Sequence, residues 1–115
     1  MKWKRIEADF SLHDPESSFT FSRRGADVAV SFRDWRNQRI VITFAEVAKF
    51  AYSWLPPCPE LPDEAFYEAD DSDYVNQLVE TVLLGEDEEM HHYLIATNED
   101  EWCEVVADTY NVEIE

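Results

Sequence analysis

Twenty-six Asp and Glu side chains in 115 residues make carboxylate chemistry the first to weigh, since two suitably separated carboxyls can act as general acid and base. Such abundance also supplies many accidental pairs, so a working carboxyl has to be picked out by burial. Only Glu46 and Glu104 interrupt an apolar pattern, and a bulge or a solvated face accounts for either. His91 and His92 are neighbours in a segment that alternates like a strand, so they point to opposite faces and cannot share one metal as i, i+4 helical histidines do. Asp70-Asp71-Ser72-Asp73 opens like a calcium loop, but the sixth position counted from Asp71 is Asn76 where such a loop has glycine. Cys103 lacks a basic neighbour to lower its pKa and reads as an inert thiol, and His13, before Asp14-Pro15, reads as a turn residue. No G-x-S-x-G, Gly-rich phosphate loop or C-x-x-C occurs. These residues designate no catalytic, cofactor-binding or metal-binding group, and the chain is expected not to be an enzyme.

The elements that would position these groups read mainly as strands. Ile6, Ala8 and Phe10 alternate with charged residues over 2–10, Phe19 and Phe21 alternate over 18–23, and Val28, Val30 and Phe32 alternate over 27–33. Arg24-Gly25-Ala26 between the last two supplies the glycine of a tight hairpin. Residues 39–54, RIVITFAEVAKFAYSW, are expected to form a long bent strand with a β-bulge near Ala45-Glu46. A helix starting near Thr43 is the alternative, because Thr43-x-x-Glu46 fits a capping box. Residues 55–62 carry four of the five prolines and read as a stiff connection. Residues 72–84 read as a helix, capped by Asp71 or Ser72, ended by Gly85, and carrying an apolar stripe of Tyr74, Val75, Leu78, Val79, Val82 and Leu83. Strands follow at 90–97, 102–107 and 110–114, the last two joined through a bend at Asp108-Thr109. The expected fold is α+β: a mainly antiparallel sheet of six to seven strands with one helix packed on it. Residues 1–115 should form a single domain.

Charge is distributed unevenly. Residues 1–56 hold nine basic and seven acidic side chains, whereas residues 57–115 hold nineteen acidic ones and no Lys or Arg. Concentrated like charge costs stability, and a basic protein partner would offset that cost and be steered toward the surface. The acids proposed to meet it are Glu68, Asp70, Asp71, Asp73, Glu86, Asp87, Glu88, Glu89, Glu99, Asp100, Glu101 and Glu104. The same balance opposes direct binding to nucleic acid or anionic membrane. The N-terminal MKWKRIEADF lacks the apolar run of a signal peptide, and two cysteines 45 positions apart make no disulfide framework; a cytoplasmic location is expected. A homodimer through an edge strand is open to such a fold.

The segments His92-Tyr93-Leu94-Ile95, Glu104-Val105-Val106-Ala107 and Val112-Glu113-Ile114, with Phe44-Ala45-Glu46-Val47-Ala48-Lys49-Phe50 before them, resemble small bacterial immunity-type proteins. The resemblance covers about half of the chain and consists of packing patterns. It implies an antiparallel sheet with a packed helix, no cofactor, and a protein partner such as a nuclease toxin that is neutralised by binding. Two alternatives stand beside it: a nucleic-acid mimic that occupies a DNA-binding protein, and a small-ligand module with a pocket near Trp54, Tyr67 and Trp102.

Overall fold

The computed structural model describes residues 2–53, 65–70, 90–97 and 101–115. Its strands are β1 (Lys2–Arg5), β2 (Thr20–Arg24), β3 (Asp27–Arg33), β4 (Arg39–Ala45), β5 (Lys49–Ser53), β6 (Ala65–Asp70), β7 (His91–Ala96), β8 (Trp102–Ala107) and β9 (Thr109–Ile114). They form a five-stranded sheet in the order β1-β6-β7-β8-β5 and a four-stranded sheet in the order β2-β3-β4-β9. Every pairing is antiparallel.

Among the described residues the fold is therefore all-β, which corrects the α+β expectation. Every regular element among the described residues is a strand, and residues 72–84, read as a helix, lie outside them. The physical reason is that two sheets cover each other. Val30 and Phe32 of β3 and Ile40, Ile42 and Phe44 of β4 share one core with Phe66 of β6, Tyr93 and Ile95 of β7, and Cys103, Val105 and Ala107 of β8. Each fully buried Ile or Phe contributes about 1.5–3 kcal/mol, so the apolar faces are satisfied sheet on sheet, as in a sandwich. The strand count also exceeds six to seven. The stretch 39–54 divides into β4 and β5, and β6 arises in an acidic, proline-flanked region where no strand was read.

The division of 39–54 follows a bulge. Ala45 pairs with Thr109 and Lys49 with Val106, so residues 46–48 oppose only 107 and 108, one residue too many for a regular ladder. Glu46 takes up the irregularity with a positive φ of 53°. Bonds from Val47 N to Ala26 O (2.8 Å), Ala48 N to Val106 O (2.8 Å) and Asp108 N to Ala45 O (3.0 Å) fix the corner. Here the ribbon of β4–β5 and β8–β9 passes from one sheet to the other, and Phe44 and Phe50 both pack against the core. The helix from Thr43 does not form. At the β2–β3 hairpin Gly25 adopts φ 61° between Arg24 and Asp27, which pair across the turn.

The first strand is shorter than its alternation suggests. β1 stops at Arg5, and one more bond, Ile6 N to Phe66 O (2.8 Å), follows it. Because β1 edges one sheet and β2 edges the other, residues 6–19 have to cross between them, and Ile6, Phe10, Leu12 and Phe19 pack on the core on the way.

Candidate functional site

Of the twelve carboxylates proposed as a docking face, Asp71, Asp73, Glu86, Asp87, Glu88, Glu89, Glu99 and Asp100 lie outside the described residues, and Asp70 is the last residue of β6. The three whose side chains are described do not form an open anionic surface. Glu101 is 7% exposed, and its Oε2 accepts bonds from Phe19 N (3.1 Å) and Tyr52 Oη (3.1 Å). It thus ties Phe19, the residue before β2, to Tyr52 of β5. Glu104 Oε1 lies 2.5 Å from His92 Nε2 and 3.4 Å from Lys49 Nζ. Glu68 sits directly across from Lys4 in the β1–β6 ladder and 3.5 Å from His91 Nδ1. Cations from the first half of the chain are interleaved with these acids, because antiparallel pairing brings β1 beside β6 and β5 beside β8.

His91 and His92 do project to opposite faces. His92 shares the outer face of the five-stranded sheet with Leu94 and Ala96, where Glu104 is the register partner of Leu94 and Trp102 that of Ala96. Donation from His92 holds the Glu104 carboxyl below its ordinary value; desolvation opposes this and loses, and the charges of His92 and Lys49 add to the lowering. The Trp3 ring meets the His92 ring edge-on at 5.2 Å, and the buried indole N–H groups of Trp3 and Trp102 have no acceptor among the described residues. This trio is an imidazole, a carboxylate and an ammonium that neutralise one another on an apolar face. Among the described residues, no three His, Cys, Asp or Glu side chains come together as metal ligands. Cys103 is fully buried, and its thiol is pushed up to about 12, by burial first and then by the Glu104 charge.

A further built and exposed feature is the turn from β3 to β4. Asp34 is fully buried, and its Oδ1 accepts from Arg36 N (3.0 Å) and Gln38 N (2.9 Å). The backbone closes the loop through Asp34 N to Gln38 O (3.0 Å) and Asn37 N to Asp34 O (2.9 Å). Asn37 occupies the left-handed region at φ 61°, which Asn tolerates better than most residues. Arg33 Nη1 donates to Asn37 O (3.1 Å). On the crossing segment, Ser17 Oγ accepts from Arg33 N, and Glu16 N donates to Arg33 O. This scaffold presents Trp35, 55% exposed and the most exposed of the large apolar side chains in the described residues. The Arg36 guanidinium lies 5.2 Å from the indole centroid, within cation–π range. Arg33 and Arg39 face each other across the β3–β4 ladder at the base of the turn, and Arg39 also meets Glu115 at 3.1 Å.

The signal for this site was present in the sequence. An Asp two residues before an N–H it can accept, followed by an Asn suited to positive φ, is the chemistry of an Asx-type turn. What the sequence could not supply was the burial of Asp34, which turns a flexible polar linker into a rigid mount.

No helix among the described residues is long and apolar enough to cross a membrane. Comparison of the chain with protein-family models, with curated proteins and with solved structures gives no match.

Proposed function

We propose that this protein is a non-enzymatic protein-recognition module whose contact is centred on the Trp35–Arg36 turn. The observation that carries the reading is an indole left 55% exposed on a turn locked by a buried carboxylate. Trp and Arg dominate the energetics of protein interfaces, and a preorganised turn loses little entropy on binding. The partner surface that fits has a pocket for the indole and carboxylates for Arg33 and Arg36, which can pair bidentately. The test is affinity capture from the native cytosol with wild type, Trp35→Ala and Arg36→Glu at matched melting temperature. A partner retained by wild type and lost from both variants is expected; a partner set indifferent to both variants defeats the reading.

A second reading keeps the immunity-type role, in which a basic protein such as a toxin is neutralised through acidic segments. Nineteen acids without a Lys or Arg over residues 57–115 favour it, and after the internal pairing of Glu101 and Glu104 it rests on 71–73, 86–89 and 99–100. Replacing Glu86, Asp87, Glu88 and Glu89 by their amides separates the two. Loss of the partner there, with retention by Trp35→Ala, selects the acidic reading.

A further inference from the structure

We propose that β9 is a self-pairing edge through which two copies of the chain join their four-stranded sheets into one. Among the described residues the two sheets end in four edge strands, β1, β5, β2 and β9. Three of them carry the cations that discourage edge-to-edge association: Lys2, Lys4 and Arg5 on β1, Arg23 and Arg24 on β2, and Lys49 on β5. β9, TYNVEI, carries none.

The bonding pattern fixes which groups it offers. Arg39 and Glu115 exchange both backbone bonds, at 3.2 and 2.8 Å, so alternate positions along the β4–β9 ladder are the non-bonded pairs. Those pairs are Ile40–Ile114, Ile42–Val112 and Phe44–Tyr110. The N–H and C=O groups of Tyr110, Val112 and Ile114 therefore point away from β4 toward the free side. A groove of about 380 Å³ runs along this edge, with Tyr110, Val112 and Ile114 on one wall and residues 6–10, Glu7 and Asp9 among them, on the other. Tyr110 and Ile114 are 36% and 41% exposed.

A two-fold axis through Val112 satisfies all these groups. Val112 then bonds reciprocally with the partner's Val112, and Tyr110 bonds with the partner's Ile114. On the inner side apolar residues meet apolar ones. On the outer side Glu113 falls opposite the partner's Asn111, and Glu115 opposite the partner's Thr109, so no acid of one paired strand faces an acid of the other. The occupant is thus a second copy, and closed two-fold pairing is the commonest symmetry for such contacts.

Sedimentation equilibrium of the full chain at low and high salt, from micromolar upward, tests this. Wild type is expected to be a dimer that tightens with salt, because each copy carries a net charge of −17 and salt screens the repulsion. Val112→Pro removes an outward-pointing N–H without touching a β4 bond and is expected to be monomeric with an unchanged circular dichroism spectrum. Should that variant fold poorly, Asn111→Glu, an exposed change that sets acid against acid, is expected to weaken the dimer several-fold, and Asn111→Lys to strengthen it. A wild-type monomer at high salt, or a dimer indifferent to the substitutions at Asn111, overturns the proposal. Trp35→Ala is expected to leave dimerisation unchanged, so failure here and failure of the Trp35 reading are told apart.

Discussion

His92 and Glu104 meet through Nε2 and Oε1 at 2.5 Å on the outer face of the five-stranded sheet, with side chains only 4% and 18% exposed. Lys49, 55 residues away in sequence, reaches the same carboxylate oxygen. The arrangement is charge-compensated, so its removal from either side should be costly, and it should depend on pH in a definite direction.

Glu104 is held below its ordinary value of 4.5 in the folded chain. Its stabilising contribution is complete above the unfolded-chain value and is lost as pH falls through the lower folded value. Glu104→Gln should cost about 1–3 kcal/mol at neutral pH, with the two melting temperatures converging at acidic pH. Thermal melts across an acid titration read this; a gap that stays constant as pH falls contradicts it.

Cys103 should be silent to thiol reagents in the native state. Its side chain is fully buried and its pKa is pushed up to about 12, leaving almost no thiolate at neutral pH. In a Cys58→Ser background, labelling by a thiol reagent should follow the unfolding transition in denaturant. Rapid labelling without denaturant would show that β8 opens locally.

Asp34 should matter to stability and Trp35 should not. Asp34→Ala strands the N–H groups of Arg36 and Gln38 and is expected to cost about 2–3 kcal/mol, whereas Asp34→Asn, which keeps an acceptor, should cost less. Trp35→Ala, at an exposed site, should stay within about 0.5 kcal/mol of wild type. Denaturant melts of the three variants rank these effects.

Glu46 sits at φ 53° with an exposed side chain. The left-handed region costs a non-glycine residue about 1–2 kcal/mol, part of which Gly returns through its greater freedom in the unfolded chain. Glu46→Gly should stabilise the protein by about 0.5–1 kcal/mol, while Glu46→Val, β-branched at positive φ, should destabilise it. Chemical denaturation of both variants checks the sign.

Along the chain, local pattern alone specified much of this architecture. Alternation placed β2, β3, β7, β8 and β9, Gly25 placed the hairpin, and Glu46, an acid at a core-facing parity, marked the bulge that the ladder registers reveal. Opposite faces for His91 and His92 followed from a period of two. Local pattern misled where a partner decides the outcome. Residues 6–10 alternate like a strand yet leave the sheet, because the chain has to reach the other edge. Ala65–Asp70 carries no clear alternation yet becomes β6, because Phe66 has a core to enter.

The separation of charge along the sequence is a true property of the order of residues, and it says nothing of their neighbours in space. Tertiary pairing set Lys4 across from Glu68 and Lys49 against Glu104. It also sent Glu101 inward to Phe19, 82 residues distant. A carboxylate's environment depends on which strand lies beside it, and antiparallel packing joins segments that the chain keeps far apart. For the same reason only the folded molecule could distinguish Trp35, mounted over a buried Asp34, from any other tryptophan in a polar loop.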